Sequence, residues 1–160
     1  MSPTDFPALV FLDFDGVLNS QRFLESNPQA MKLHKARELV FDPDAIARLN
    51  TFLDRNPSAV VISSDWRKAY DFDVIRSIMV ANGFKHGNKI VGQTPNFDRQ
   101  PRGREISAWM TARGLRKPFV ILDDRSDMEN TRPRLVLTDP KIGITPNDWM
   151  KAEAIIKKAA

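Results

Sequence analysis

The chain has 160 residues, 42% of them apolar and 28% charged. That is one domain's worth of ordinary globular composition, and it excludes wholesale disorder, collagen-like repeats and a coiled coil. It has no cysteine and two histidines, His34 and His86, which excludes disulfide scaffolds, cysteine–zinc sites and thiol catalysis and disfavours a multi-histidine metal centre; its net charge of +4 fits an anionic partner without requiring one.

In chain order, Met1-Ser2-Pro3-Thr4-Asp5 lacks the basic and apolar tracts of a signal peptide. No apolar run approaches the roughly 18–20 residues of a membrane helix. With cysteine absent, the expectation is a cytoplasmic chain with no membrane partner. Ala8-Leu9-Val10-Phe11-Leu12 is apolar at every position and ends in Asp13. Residues 19–41 are polar and irregular, with a helical tract over 31–39, and read as a flap or small insertion. Asp42 before Pro43 is an N-cap followed by a first-turn proline, and Ile46, Leu49 and Leu53 form a helical stripe. Residues 59–62 give a second strand, ending in Ser63-Ser64. Val74, Ile75, Ile78 and Met79 predict a helix that stops at Asn82-Gly83.

Residues 89–91 give a short third strand, followed by an irregular loop over 92–101. Ile106, Trp109 and Met110 mark a helix ending at Arg113-Gly114. Residues 119–122 form a fourth strand, ending in Asp123-Asp124, and 135–137 a fifth, ending in Thr138-Asp139. Thr145-Pro146 opens the last helix, with Asp148 placed for a capping box. Strands that are continuously apolar, not alternating, are covered on both faces. The expected fold is therefore α/β: three layers, doubly wound, around a mostly parallel five-stranded sheet. Residues 1–160 form one domain without a sizeable cap.

In such a sheet ligands bind beyond the carboxyl ends of the strands. Three strand ends there are polar: Asp13-Phe14-Asp15, Ser63-Ser64 and Asp123-Asp124. Residues two apart on a strand share a face, so Asp13 and Asp15 would share a small site while Phe14 turns into packing. Two like charges so close need a cation or a proton between them. Mg2+ would keep Asp13 ionised as a nucleophile, with Asp123 or Asp124 completing its shell. Asp15 could give a proton to a leaving oxygen and later take one from water. A hydroxyl of Ser63 or Ser64 could hold a phosphate oxygen, and Arg102 or Arg104, flanking Gly103, could neutralise a transferring phosphoryl group.

Together these residues resemble the haloacid dehalogenase (HAD) superfamily of phosphatases over nearly the whole chain. Its first motif stands as Asp13-Phe14-Asp15-Gly16-Val17, its second as Val60-Val61-Ile62-Ser63-Ser64, and its fourth as Ile121-Leu122-Asp123-Asp124. The usual lysine of the third motif is absent, so Arg102, with Arg104 as the alternative, takes its place. Ser63-Ser64-Asp65-Trp66-Arg67 and Arg102-Gly103-Arg104-Glu105-Ile106 resemble the small branch that includes domains of RNA-repair proteins. The resemblance implies a Mg2+-dependent phosphatase that works through an aspartyl-phosphate on Asp13. The metal would be held by the Asp13 side chain, the Asp15 backbone carbonyl, and Asp123 or Asp124. Ser63 (or Ser64) and Arg102 would bind phosphate oxygens. A non-catalytic HAD-like binding module, or phosphotransfer to an acceptor other than water, are the alternatives.

Asp13 to Ser63 spans 50 residues and Ser64 to Arg102 spans 38, too few for a folded cap besides the crossover helices. An open site admits a phosphate carried on a large substrate such as a nucleic-acid end; a nucleotide also remains in view. Basic tracts at 32–37, 99–104 and 113–117 suit a polyanion.

Overall fold

In the computed structural model, which describes residues 1–160, the five apolar runs form β1 (Ala8–Leu12), β2 (Ser58–Ile62), β3 (Ile90–Gln93), β4 (Phe119–Asp123) and β5 (Leu135–Leu137). All pair in parallel, in the order β3-β2-β1-β4-β5. β1 lies at the centre with every residue buried, as its unbroken hydrophobicity requires. Register does the work that matters for the site. Leu12 is paired with Ile62 on one side and Leu122 on the other. The next residue of each strand path, Asp13, Ser63 and Asp123, therefore leaves the core on one rim. The ladder continues past the strand end: Asp13 N donates to Leu122 O and Ser63 N to Leu12 O, both at 3.0 Å.

Alternate strand residues feed two cores. Val10, Leu12, Val60, Ile62 and Leu122 pack with α3 (Pro43–Arg55), α4 (Phe72–Ala81) and α6 (Pro146–Ala159) on one face. Leu9, Phe11, Val61 and Ile121 pack with Ile106 and Trp109 of α5 (Arg102–Ala112) on the other. Phe14 turns into the first core against Phe41, with ring centroids 5.2 Å apart. The caps follow the sequence signals. Asp42 accepts from Asp44 N ahead of Pro43, and Thr145 and Asp148 close a capping box on α6.

Two elements differ from expectation. Between 19 and 41 there are two helices, α1 (Gln21–Ser26) and α2 (Pro28–Lys35), not one tract over 31–39. Asn27 caps α2 through Ala30 N and Pro28 fixes its first turn, so the helix starts early. Arg37, at φ 61°, ends the path that a longer helix would need. β3 runs over Ile90–Gln93, later than 89–91, because Lys89 closes the 3-10 turn Gly87–Lys89 and Val91 bulges between the pairs Val60–Ile90 and Val61–Gly92. No helix is long and apolar enough to cross a membrane.

Candidate active site

The rim past β1 and β4 gathers three acids. Carboxylate oxygens of Asp13, Asp123 and Asp124 all lie within 4.8 Å of one another. Asp13 and Asp123 are buried, at 5% and 0% exposure, and Asp124 is half-buried. Burial, then repulsion from Asp123, pushes the Asp13 carboxyl well above its usual range, and the Arg102 guanidinium opposes this. Burial likewise raises Asp123 against the pull of Arg102.

Arg102, the first residue of α5, is 1% exposed. Its Nη1 donates to Asp123 Oδ2 at 2.6 Å and lies 3.4 Å from Asp13 Oδ2, while Nη2 donates to Asp65 Oδ1 at 3.0 Å. Burial alone would lift the Asp65 carboxyl, but Arg102, Lys68 and Arg125 outweigh it and hold it below the usual carboxylate range. Arg104 points elsewhere, bound to Gln100 and Glu129 at the surface.

Gly103 explains how Arg102 comes so close. Gly103 N donates to Asp127 O at 3.0 Å and Arg102 N to Asp127 Oδ2 at 3.1 Å. Asp127 is thereby spent on the start of α5 and on Arg125, and it stays out of the acidic group. A Cβ on Gly103 would fall 1.9 Å from the Met128 carbonyl oxygen, so this turn can sit against the 127–128 backbone only as glycine. Gly103→Ala is expected to push α5 off that backbone. We expect a stability loss of about 1–3 kcal/mol, as overpacking produces, visible in thermal melts, together with loss of the Arg102 contacts.

The donor set fits a hard divalent cation. Three carboxylates lie together with one guanidinium against two of them, all the candidate ligands are oxygen, and Mg2+ favours one or two carboxylates with water. Asp123 already accepts from Arg102 through Oδ2 and from Arg125 N through Oδ1 at 2.9 Å, so of the two acids that end β4, Asp124 has the freer carboxylate. Asp124 lies against Gly16, at φ +80°, where a Cβ would come 2.4 Å from Oδ2.

The two serines separate. Ser64 Oγ accepts from Trp66 N at 3.4 Å and caps the 3-10 turn Asp65–Lys68. Ser63 is fully buried and its Oγ has no partner, nor has Arg102 Nε. Buried polar atoms left unpaired are costly, and phosphate oxygens are partners of the right chemistry for both.

Asp15 stands apart from the three acids, with its side chain 51% exposed. Asn19 Nδ2 donates to its Oδ1 at 2.9 Å and Trp66 Nε1 to its Oδ2 at 3.0 Å. The sequence alone assigned no role to Trp66, Asn19, Asp65 or Arg67. Arg67 is buried and donates to the carbonyls of Ser63 (2.9 Å), Ser64 (3.0 Å), Thr94 (3.1 Å) and Pro95 (3.2 Å). It also pairs with Glu105 Oε1 at 2.8 Å, while Glu105 Oε2 accepts from Phe97 N at 2.8 Å. This buried pair ties the loops after β2 and β3 to α5. Arginine and glutamate 38 positions apart leave no periodic trace in a sequence; burial of both is the only signal, and it appears only in the fold. Trp109, in contrast, is a core residue, 1% exposed against Phe11.

A family model described as the HAD domain in Swiss Army Knife RNA repair proteins matches residues 9–149. No curated protein and no solved structure shows significant similarity to the chain.

Proposed function

Because the chain belongs to the family of HAD domains in Swiss Army Knife RNA repair proteins, we propose that it is a Mg2+-dependent phosphohydrolase acting on a phosphomonoester through an aspartyl-phosphate. The family supports a HAD-type phosphohydrolase at the superfamily level. The observation that supports the finer reading is the meeting of Asp13, Asp123 and Asp124, with the buried Arg102 set against the first two.

In this reading an Asp13 oxygen attacks phosphorus, and Asp15 gives its proton to the leaving oxygen. Asp15 then takes a proton from water as that water attacks the phosphoryl group and frees Asp13. Arg102 is fixed before substrate arrives by its bonds to Asp123 and Asp65, so it offsets developing charge without reorganising. Ser63 Oγ, the unpaired hydroxyl, holds a phosphoryl oxygen. The side chains of Asp13 and Asp124, with the Asp15 carbonyl that the family pattern adds, would hold Mg2+, which when bound neutralises phosphoryl charge and keeps Asp13 ionised. The rim has no cap above it, and Lys68 and Arg125 stand half-exposed beside Asp65. A phosphate at the end of a nucleic acid, or on a nucleotide, is the substrate class we propose.

The test is phosphate release from 4-nitrophenyl phosphate, with Mg2+ and with chelator, followed by phosphorylated oligonucleotides against free nucleotides. Turnover that ignores chelator would refute the metal assignment. Ser63→Ala is expected to raise KM or lower kcat/KM at least about tenfold, as for one lost charge-assisted hydrogen bond, and to cost more than Ser64→Ala in the same assay.

A further inference from the structure

Side chains from separate stretches of chain grip Asp15. Asn19 Nδ2 spans from Asp15 Oδ1 to the carbonyl of Val40, at 2.9 and 3.0 Å. His34 Nε2, on α2, lies 3.4 Å from the same Asp15 oxygen. Trp66 Nε1 takes the other oxygen at 3.0 Å, from 51 positions away. The indole is half-buried, rests on the main core and stacks on Tyr70, with centroids 6.2 Å apart and planes 11° apart. Its direction is therefore set by packing, independently of the carboxylate it meets. A half-exposed aspartate without such partners would sample several rotamers.

We infer that Trp66 is a positioning residue that aims the carboxyl of Asp15 at the leaving oxygen. The inference rests on the phosphotransfer reading above and adds to it a residue outside the acidic group. In the step concerned, the bond from Asp13 to phosphorus forms and the bond from phosphorus to the leaving oxygen breaks. The electron pair stays on that oxygen and the proton of Asp15 goes to it. An aryl oxide leaves well as an anion and needs little of this proton; an alkyl oxide needs it fully. A misaimed Asp15 therefore penalises alkyl esters more than aryl esters. The parameter to compare is kcat/KM, which covers steps only up to phosphoryl transfer to Asp13, so the later work of Asp15 on water does not enter.

The experiment measures kcat/KM with Mg2+ for 4-nitrobenzyl phosphate and 4-nitrophenyl phosphate, esters of near-equal shape, in the parent and in Trp66→Phe, which keeps an aromatic ring but loses the N–H. The benzyl-to-phenyl ratio is expected to fall about tenfold or more, within the range that general acid catalysis supplies. Trp66→His, which retains a ring N–H, should recover part of it. On an Asp15→Asn background Trp66→Phe should not lower the ratio further. Equal losses on both esters, or a further fall on the Asp15→Asn background, would overturn the inference while leaving the phosphatase reading standing. A parent that hydrolyses neither ester defeats the phosphatase reading and the inference with it. A second readout keeps Trp66 intact: Asp15→Ala should speed hydrogen exchange of the Trp66 indole N–H, and an unchanged rate would also count against the inference.

Discussion

Asp13→Asn is expected to abolish turnover, by about a thousandfold or more as for removal of a covalent nucleophile, and in chelator at neutral pH to melt higher than the parent. The two effects have one origin. Asp13 is buried beside Asp123, and both circumstances disfavour its charged form. A carboxyl whose pKa is raised on folding contributes stability below its ordinary value of 3.8 and loses it as pH climbs through the raised value. Above that window the parent carries an unfavourable buried charge and the asparagine variant does not. The gain in melting temperature should therefore be largest at pH 7–8 and shrink towards pH 4. Phosphate release and melts over that range, in chelator, check both halves. A variant that melts lower than the parent at pH 8 would mean that Arg102 already compensates the charge in full.

Arg102→Met is expected to act in the opposite direction on stability. It removes the buried guanidinium that faces these two acids and leaves Asp13 and Asp123 facing each other. Breaking a buried pair from one side costs about 3–5 kcal/mol, and activity should fall on the order of a hundredfold or more with loss of a preorganised charge. Arg102→Lys should restore part of the stability but less of the activity. An ammonium is a point charge, whereas here one guanidinium spans Asp123 with Nη1 and Asp65 with Nη2. Opposite shifts in melting temperature for Asp13→Asn and Arg102→Met would identify electrostatics, not packing, as the source of both.

The gathering of Asp13, Ser63 and Asp123 could be read from the sequence for a physical reason. Parallel strands covered on both faces are apolar throughout, so the first polar residue after each run marks the point where the chain leaves the sheet. Parallel pairing puts those points on one edge. What lay beyond reading is the side-chain wiring across that edge: Trp66 to Asp15, Arg67 to Glu105, Arg102 to Asp65. These pairs join different loops, and their meeting depends on the bends between elements, which carry no period. The choice of Ser63 over Ser64 was of the same kind, since both hydroxyls look alike until one is seen capping a turn. In residues 19–41 the information was present but outweighed. Asn27-Pro28 is a helix start, yet the apolar residues over 31–39 suggested a helix placed later than α2.

Leu24, Ala30 and Val40 form a small cluster separate from both main cores, with Phe23, Met31 and Leu33 against it. A segment that folds on its own contacts can open while the sheet stays closed, so amide exchange in α1 and α2 should outpace that of β1. It also means that the outer faces of α1 and α2 are replaceable, so long as His34 keeps its place beside Asp15. They can be redrawn, by evolution or by graft, to suit a different substrate, without the rest of the molecule having to relearn how to fold.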